Sequence, residues 1–435
     1  MTIESDLKEV IELKSIPIDY SWSFSGLTIK DTAYISHGYY TYPAKFIPQL
    51  ASRLINKYTN KGDVVVDPFM GSGTTILESI VSSRKGIGTD INDIAYLVAK
   101  VKTTPLNRKE LLQEYIDIES ELEYRLNWQL DNYIESSLQN VPKNSRIDYW
   151  FKEHQKNKLA VIWSRILEVS SCDIQDFFKV GFAQILKSCS IWMQKSIKPT
   201  RDLKKKNYDP LQLFLLQIKK MIKQHQELEK ILAEEVKENI VDYRTIKNCD
   251  ARNLPCEDEK ATLIVTSPPY VTSYEYADLH QLASLWFEYT VDLTTYRNKF
   301  IGSSYKEKTN IELKSKMGEE IVKNLTNKKA LDVQIYFSDM LQTFTESKRV
   351  LKVGGKICIV IGNTQFKGVD ILNAEVFKEQ LENIGFKTID IIHREIPSKM
   401  LPSTRNPKTG QFTKASNESI KLAYPTEYIL VMEKL

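Results

Sequence analysis

Cysteine and histidine are scarce in this chain of 435 residues, which has five of each. The cysteines are scattered, and no two of them form a C-x-x-C pair; they are Cys172, Cys189, Cys249, Cys256 and Cys358. A zinc site or a disulfide framework requires clustered ligands or paired thiols. We therefore expect no metal, and we expect reduced thiols that are mostly buried.

Long apolar runs and a strong net charge are also missing. No run approaches the roughly 18–20 apolar residues that span a bilayer, and the first ten residues, MTIESDLKEV, are too polar for a secretory signal. These absences predict a cytoplasmic protein without membrane contact. The net charge of +4, from 60 basic and 56 acidic side chains, does not indicate nucleic-acid binding by itself, although a local basic patch would suffice.

Short apolar segments alternate with helical segments near the start of the chain. Residues 64–66 are a β-branched run that predicts a buried strand, and residues 86–90 predict a second strand. Helices are predicted at 76–81 and 95–102. This alternation predicts an α/β fold with a parallel sheet. Further strand signals bring the total to about seven, one of them ending at Asp250; the others lie at 263–265, 356–361, 388–392 and 428–432.

The middle of the chain has a different pattern, because strand signals nearly vanish between residues 105 and 240. Leu211, Leu215, Ile218 and Ile222 recur at helical spacing, which is typical of a helix that packs an apolar face on a core. We predict a large helical insertion at 105–240. It divides one discontinuous α/β domain, formed by residues 1–104 and 241–435.

A glycine-containing loop follows the first predicted strand and opens a helix. Its residues are Asp67, Pro68, Phe69, Met70, Gly71, Ser72, Gly73 and Thr74. Glycine lets the backbone approach a ligand closely, and the start of a helix offers free N–H groups. Asp90 lies at the end of the next strand, near the spacing at which an acid accepts hydrogen bonds from ribose hydroxyls. No lysine follows Gly73, and no third glycine is present, so a ligand with ribose and adenine but no pyrophosphate fits best.

The run Thr266-Ser267-Pro268-Pro269-Tyr270 follows an apolar strand. Two adjacent prolines fix the backbone and remove two N–H donors, so we expect the Pro268 carbonyl to face outward as an acceptor. Ser267 adds a hydroxyl, and Tyr270 adds a flat ring. Such a run suits an amino group that is held by two acceptors while its own ring stacks on an aromatic face. A base in duplex DNA reaches such a pocket only when it is flipped out.

These two segments resemble motifs I and IV of the DNA amino-methyltransferases that modify cytosine N4 or adenine N6. The resemblance implies a Rossmann-like, S-adenosylmethionine-dependent fold in which Ser267, Pro268, Pro269 and Tyr270 hold the target amino group. It assigns cofactor binding to the first motif and its neighbours, namely Asp67, Pro68, Phe69, Gly71, Ser72, Gly73, Thr74, Asp90, Ile91 and Thr266. Serine before Pro-Pro-Tyr is usual in the N4-cytosine enzymes of restriction–modification systems, so Ser267 favours cytosine.

Other segments are similar to the same family. Residues 37–46, HGYYTYPAKF, resemble the segment that packs against the methionine end of the cofactor, which implies that Tyr42 and Pro43 bind it. Asp250, in CDARNLP, resembles the acid that meets the adenine amino group, with Ala251 beside it. Residues 350–355 and 274–287 also match. The resemblance covers 1–104 and 241–435 and does not reach the insertion.

The resemblance implies site-specific methylation of duplex DNA by base flipping, with a cognate restriction endonuclease acting separately. Adenine N6 is the nearest alternative target, followed by a tRNA guanine amino group, although only about 60 residues precede the first strand where those enzymes carry an RNA-binding domain. Cytosine C5 methylation would need a cysteine nucleophile, and Cys256 follows a proline but precedes its strand. A degenerate binding scaffold would show eroded motifs, whereas these are intact.

Two basic segments are candidates for DNA contact. The first has a single opposing acid, Asp202, and comprises Lys195, Lys198, Arg201, Lys204, Lys205 and Lys206. The second comprises Lys399, Arg405, Lys408 and Lys414, with Phe412 among them. Such cations can neutralise phosphates, but a solvated loop is the commoner explanation for the first segment, and the second is equally compatible with a solvated loop and with phosphate contact. The insertion is a candidate DNA-recognition segment, although its place between the second and third strands prevents assigning recognition to it alone.

Overall fold

The computed structural model describes residues 13–43, 45–206, 208–271, 276–302, 311–326, 328–366, 368–396 and 425–435, and the backbone of 404–405 and 421–422. Eleven strands are present in this part of the chain. They are β1 (Val64–Asp67), β2 (Lys85–Thr89), β3 (Arg244–Lys247), β4 (Ala261–Thr266), β5 (Leu351–Ile361), β6 (Thr364–Phe366), β7 (Val369–Ile371), β8 (Phe386–Glu395), β9 (Thr404–Arg405), β10 (Lys421–Leu422) and β11 (Thr426–Lys434).

Seven of these strands form one sheet in the order β3-β2-β1-β4-β5-β11-β8. The first five are parallel, and β11 is antiparallel to both β5 and β8. The mostly parallel, seven-stranded α/β sheet predicted from the sequence is confirmed. The chain leaves β1 toward β2 and β3 on one side and returns to β4 on the other. A crevice therefore opens at the carboxyl ends of β1 and β4, where ligands bind in such sheets.

The sheet is buried on both faces, which explains its continuous apolar strands. Along β4, Leu263 and Val265 pack into the core on one face, and Ile264 packs into the core on the other. The α helices flank the sheet or form the insertion. They are α1 (Ile29–Thr32), α2 (Pro48–Tyr58), α3 (Thr74–Val81), α4 (Asp93–Lys102), α5 (Arg108–Asn127), α6 (Leu130–Leu138), α7 (Ser145–Trp150), α8 (Glu153–Leu167), α9 (Cys172–Cys189), α10 (Pro210–Ile231), α11 (Glu234–Glu238), α12 (Ile240–Tyr243), α13 (Tyr276–Leu279), α14 (Gln281–Trp286), α15 (Leu293–Arg297), α16 (Lys316–Lys323), α17 (Lys328–Val350) and α18 (Asn373–Asn383).

Several predicted boundaries need correction. The helices predicted at 76–81 and 95–102 begin two residues earlier, because α4 is capped by the Asn92 side chain, which accepts from the Ile94 N–H, and α3 starts directly after Gly73. The strand predicted to end at Asp250 ends at Lys247, where its pairing with Thr89 of β2 stops. The strand predicted at 356–361 begins at Leu351, since the glycine turn lies within β5.

Helices α5 to α12 fill the region where the sequence predicted an insertion. The predicted stripe of α10 is confirmed, because Leu211, Leu215, Ile218 and Ile222 are all buried. The insertion helices share one hydrophobic core with α4, α14 and the Tyr39–Tyr42 region. The division into two domains therefore stays a prediction. Among the described residues, no helix is long and apolar enough to cross a membrane.

Candidate active site

A cavity of about 330 Å³ opens at the carboxyl ends of β1, β2 and β4. It brings together most of the residues that the sequence predicted for the site. Those that line it are Tyr42, Pro43, Asp67, Pro68, Phe69, Gly71, Ser72, Thr74, Asp90, Ile91, Asp250, Ala251, Ser267, Pro269 and Tyr270. Three predicted residues are not among the lining residues, namely Gly73, Thr266 and Pro268. Of these, Thr266 bonds to Asp67, which lines the cavity.

The glycine loop depends on both of its glycines. Gly71 and Gly73 have φ angles of +48° and +75°, a conformation that other residues adopt only with strain. A Cβ on Gly71 would lie 3.1 Å from the Tyr42 ring, and one on Gly73 would lie 2.8 Å from Ala99 Cβ. Gly71 therefore keeps the loop open to the cavity, whereas Gly73 lets α3 pack closely against α4.

Asp90 supports the loop from the end of β2. One of its carboxylate oxygens accepts from the Gly71 N–H at 2.9 Å, and the other accepts from the Asn92 N–H at 2.9 Å. Burial raises the pKa of Asp90 to about 6. Each oxygen keeps a second lone pair that can accept from a ligand hydroxyl.

Asp67 is held in place by Thr266, a residue that the sequence resemblance assigned to cofactor binding. The Thr266 hydroxyl donates to Asp67 at 2.7 Å, and the Phe69 N–H donates to the same oxygen at 3.1 Å. Burial raises the pKa of Asp67 to about 6. Thr266 therefore orients Asp67 across the β1–β4 pair.

The cavity fits a nucleoside cofactor on two observations. Thr74, at the start of α3, is 4% exposed, and its hydroxyl has no hydrogen-bond partner among the described residues. Thr74 lines the same cavity as Asp90. Gly71 leaves a cradle that a Cβ would narrow against Tyr42. A buried hydroxyl left unpaired is costly, so a polar ligand at this point would satisfy it.

Asp250 is fixed at another wall of the cavity by a chain of ion pairs. Arg252 donates to both Asp250 oxygens, at 2.9 and 2.6 Å, and to buried Asp339 at 2.7 Å. Asp339 also accepts from the N–H of Gly302, which lines the cavity. The acid predicted to meet adenine is therefore tied through Arg252 to a second part of the cavity wall.

An aromatic stack holds the segment of Tyr42 and Pro43 in place. The Tyr42 ring stacks on His280 with centroids 4.7 Å apart and faces Tyr276 at 6.4 Å. The Tyr40 hydroxyl is 3.2 Å from His280 Nδ1. Burial lowers the pKa of His280 to about 3, so the imidazole is neutral in this stack.

The Ser-Pro-Pro-Tyr run is anchored at both of its last two residues. The Tyr270 hydroxyl accepts from the Gly362 N–H at 3.1 Å and donates to Glu427 at 3.4 Å. The Pro269 carbonyl accepts from the Tyr336 hydroxyl at 2.8 Å. These bonds fix the Tyr270 ring beside Ser267 in the cavity wall. The acceptor role of the Pro268 carbonyl stays a prediction.

Sequence reasoning missed part of the cavity wall. Tyr336, on α17, carries no local signal, because an aromatic residue on a long helix predicts core packing. Residues 299–302 and the pair Lys198 and Pro199 also line the cavity. Lys198 was identified only as part of a basic run, and nothing in its spacing predicted a place in the cavity wall.

Cys256 and the second basic segment have different outcomes. Cys256 is buried in the core, is not among the lining residues of the cavity, and has a pKa that burial raises to about 11. It is not placed to act as a nucleophile on a base in this cavity. In the second basic segment, Lys399, Lys408, Phe412 and Lys414 lie outside the described residues, and only the backbone of Arg405 is described, in β9.

Comparison with known proteins agrees with this arrangement. The family model of the DNA methylases matches residues 4–101 and 261–435, on both sides of the insertion. The type II methyltransferase M.MvaI of Kocuria varians is 27% identical over 98% of this chain and 97% of that protein. The type II methyltransferase M.BsoBI of Geobacillus stearothermophilus is 25% identical over 82% of this chain and 79% of that protein.

The crystal structure of TrmN from Thermus thermophilus aligns at a TM-score of 0.29 and 10% identity, covering 90% of this chain and 49% of that one. Because the family match extends over well more than half of the chain, this protein belongs to the DNA methylase family and uses S-adenosylmethionine as its methyl donor.

Proposed function

We propose that this protein methylates the N4 amino group of cytosine in duplex DNA, as the protective methyltransferase of a restriction–modification pair. One observation carries the proposal: a single cavity is lined both by the glycine loop with Asp90 and by Ser267 and Tyr270. The first set suits the cofactor and the second suits a target base, so donor and acceptor would meet in one enclosed space.

On the cofactor side, Asp90 would accept from the ribose hydroxyls, and Asp250 with Ala251 would meet the adenine amino group. Tyr42 and Pro43 would pack against the methionine end. When bound, S-adenosylmethionine supplies a methyl group on a positively charged sulfur. The Thr74 hydroxyl would gain the partner that it lacks among the described residues.

On the base side, the chain has to orient a poor nucleophile. The lone pair of a cytosine amino nitrogen is delocalised into the ring. Hydrogen bonds from that amino group to Ser267 and the Pro268 carbonyl would favour a more tetrahedral nitrogen, whose lone pair is then available. Tyr270 would stack on the base, and the bonds of its hydroxyl to Gly362 and Glu427 would keep the ring still. Positioning and electrostatics would then supply most of the acceleration.

Base flipping follows from the place of the run. Ser267 and Tyr270 lie in the wall of a cavity at the end of β4, and a base stacked inside a duplex cannot enter such a cavity without leaving the helix. Serine before Pro-Pro-Tyr supports cytosine. The adenine N6 reaction would use the same wall, so the identity of the product decides between the two.

The test is a product analysis. The protein is incubated with labelled S-adenosylmethionine and unmethylated plasmid DNA, the DNA is digested to nucleosides, and the label is identified by mass. We expect N4-methyldeoxycytidine. N6-methyldeoxyadenosine as the only labelled product would refute the cytosine assignment, and label that enters tRNA but not DNA would refute the DNA assignment.

Two variants separate the proposed roles. Gly71→Trp should abolish cofactor binding, because its side chain would fill the cradle beside Tyr42. Tyr270→Ala should retain cofactor binding and lose turnover. If Tyr270→Ala instead loses cofactor affinity while Gly71→Trp keeps it, the division of the cavity proposed here is wrong.

The restriction partner and the recognition segment belong to the same proposal. The relatives M.MvaI and M.BsoBI are named type II methyltransferases, which supports a separate cognate endonuclease. The helical insertion at 105–240 would contribute to reading the DNA site. Swapping the insertion for that of a relative with a different target should change the methylated sequence, and an unchanged sequence would place recognition elsewhere.

A further inference from the structure

The loop of residues 190–206 joins α9 to α10 in the helical insertion, yet it reaches the catalytic cavity. Lys198 and Pro199 line the cavity together with Tyr42 and Tyr270. The loop lies between the two parts of the chain that match the DNA methylase family. An element of the insertion therefore forms part of the wall of the cavity that would hold the target base.

This loop has a defined shape that is stabilised from within. Partly buried hydrogen bonds run from Lys205 Nζ to the carbonyl oxygens of Lys187 at 2.6 Å and Trp192 at 2.7 Å. Lys187 Nζ donates to the Ser196 carbonyl at 2.9 Å, and the Met193 N–H donates to the Thr200 carbonyl at 2.8 Å. Lys205 is thus a structural cation, and burial lowers its pKa to about 8.

Lys198 sits at the tip of a tight turn. Its carbonyl accepts from the Ser196 hydroxyl at 2.8 Å and from the Thr200 hydroxyl at 3.1 Å. These two bonds fix the backbone on either side of Lys198, while its side chain is exposed. A cation held at the mouth of a cavity is ready to meet an anion that approaches it.

Five of the six basic residues of the loop are exposed, and they are Lys195, Lys198, Arg201, Lys204 and Lys206. The single acid, Asp202, accepts from the Lys204 N–H at 3.0 Å, and the Arg201 guanidinium lies 4.1 Å from the centroid of the Tyr149 ring. The surface is therefore strongly positive and partly preorganised, which suits a row of phosphates better than a single small anion.

We propose that the 190–206 loop binds the phosphates of the DNA strand that carries the target nucleotide, with Lys198 nearest the flipped base. The inference rests on the proposed function, because it requires DNA as the substrate. It assigns DNA contact to one loop of the insertion and to the exposed cations of that loop. Lys205 is excluded because its ammonium group is bonded to backbone carbonyls within the loop.

The test compares Lys198→Gln with Lys61→Gln. The second variant removes an exposed lysine from the turn before β1, at the end of the strand away from the cavity. Affinity for a fluorescent 30-base-pair duplex is measured by anisotropy over a range of salt concentrations. Log K falls as log salt rises, and loss of one phosphate contact should reduce the magnitude of this slope by about one. Binding should weaken about eightfold at 0.1 M salt. Lys61→Gln should match the wild type, and Lys204→Gln should repeat the effect of Lys198→Gln.

Cofactor affinity, measured on the same proteins by calorimetry, should be unchanged. If Lys198→Gln and Lys204→Gln keep the wild-type salt slope, the loop does not bind phosphates and the inference is wrong. If Lys198→Gln instead weakens the cofactor while duplex binding is unchanged, Lys198 is a cofactor ligand. Product analysis is independent of these slopes. An N6-methyladenine product would overturn the cytosine assignment and leave this inference standing, whereas a wild type without duplex affinity would overturn the inference.

Discussion

At the scale of single residues, burial affects the protonation of two acids in the cavity wall, buried Asp67 and half-buried Asp90. Burial raises the pKa of Asp67 and of Asp90 to about 6. Thr266 and Phe69 hold Asp67 from inside the protein, whereas Asp90 retains acceptor capacity toward the cavity. A ligand hydroxyl that donates to Asp90 would favour its ionised form and lower its pKa in the complex.

We predict that cofactor affinity falls as the pH falls through about 6. The free protein takes up a proton on Asp90 in this range, and the complex resists protonation, so the dissociation constant should rise about tenfold between pH 7 and pH 5. Calorimetric titration of the wild type and Asp90→Asn checks this. The variant should bind more weakly at pH 7 and lose most of the pH dependence; equal slopes in both proteins would mean that Asp90 does not meet the cofactor.

Tyr336→Phe should slow turnover without weakening the cofactor. The change removes only the hydroxyl that donates to the Pro269 carbonyl, and a neutral hydrogen bond is worth about 1 kcal/mol, so we expect kcat to fall about fivefold. Steady-state kinetics with saturating DNA measure it, with Tyr58→Phe, a half-buried tyrosine away from the cavity, as the control. A raised cofactor dissociation constant with unchanged kcat would contradict a role on the base side.

The contrast between Asp90 and Tyr336 shows what a sequence can predict at this scale. Asp90 follows a strand at a spacing set by the βαβ unit, so its place at the carboxyl edge was predictable. Tyr336 is 1% exposed on a helix of 23 residues, and its ring does pack in the core, as its pattern indicates. Its hydroxyl donates to the Pro269 carbonyl, and that direction depends on how α17 packs against β5.

At the scale of elements, the connection from β1 to α3 shows the strictest requirement for a residue type. Gly73 has a left-handed φ and no room for a side chain, whereas Gly62, before β1, has a φ of +83° and no heavy atom within 4 Å of where a Cβ would lie. Alanine substitutions at the two glycines therefore separate the energetic cost of backbone strain from the cost of a steric clash.

Gly62→Ala should therefore cost only the strain of its backbone, about 1 kcal/mol. Gly73→Ala carries the same strain and must also move α3 away from Ala99, a further loss of about 1–3 kcal/mol. Urea unfolding of both variants measures the difference. Equal losses would mean that α3 and α4 adjust freely, and that the glycine serves the turn alone.

Strands and helices were easier to predict than their ends. The apolar strands of the sheet stand out because both faces are buried, and the alternation of strands and helices indicates that they pair in parallel. Asp250 was wrongly taken as a strand end, since β3 stops where β2 ends and the chain then turns before reaching the cavity. Such an end is set by the neighbouring strand, which local residue preferences do not record.

At the scale of the whole molecule, the insertion shares a hydrophobic core with helices that flank the sheet. The core of the insertion includes Ile94 and Val98 of α4, and Leu282 and Trp286 of α14, which follows the Ser-Pro-Pro-Tyr run. The sequence predicted a helical insertion but not the core that it shares with α4 and α14. An apolar stripe indicates that a helix is buried on one face, but it does not indicate which helix packs against that face. The cavity wall formed by Tyr42 therefore depends on helices that are remote in sequence.

Phe182→Ala tests whether this sharing couples stability to the site. The Phe182 ring, on α9, lies 5.4 Å from Trp163 of the insertion and 5.4 Å from Trp286, between centroids. Its truncation should lower the free energy of unfolding by about 3–5 kcal/mol.

Urea unfolding is followed by two signals, cofactor binding and the tryptophan fluorescence that reports on the insertion. Because both parts share the core, both signals should be lost in one transition, at a lower midpoint than in the wild type. Phe344→Ala, in the core on the other side of the sheet, should shift both signals in the same way. If Phe182→Ala moves the tryptophan signal while cofactor binding keeps its wild-type midpoint, the insertion unfolds independently and the two-domain division predicted from the sequence is correct.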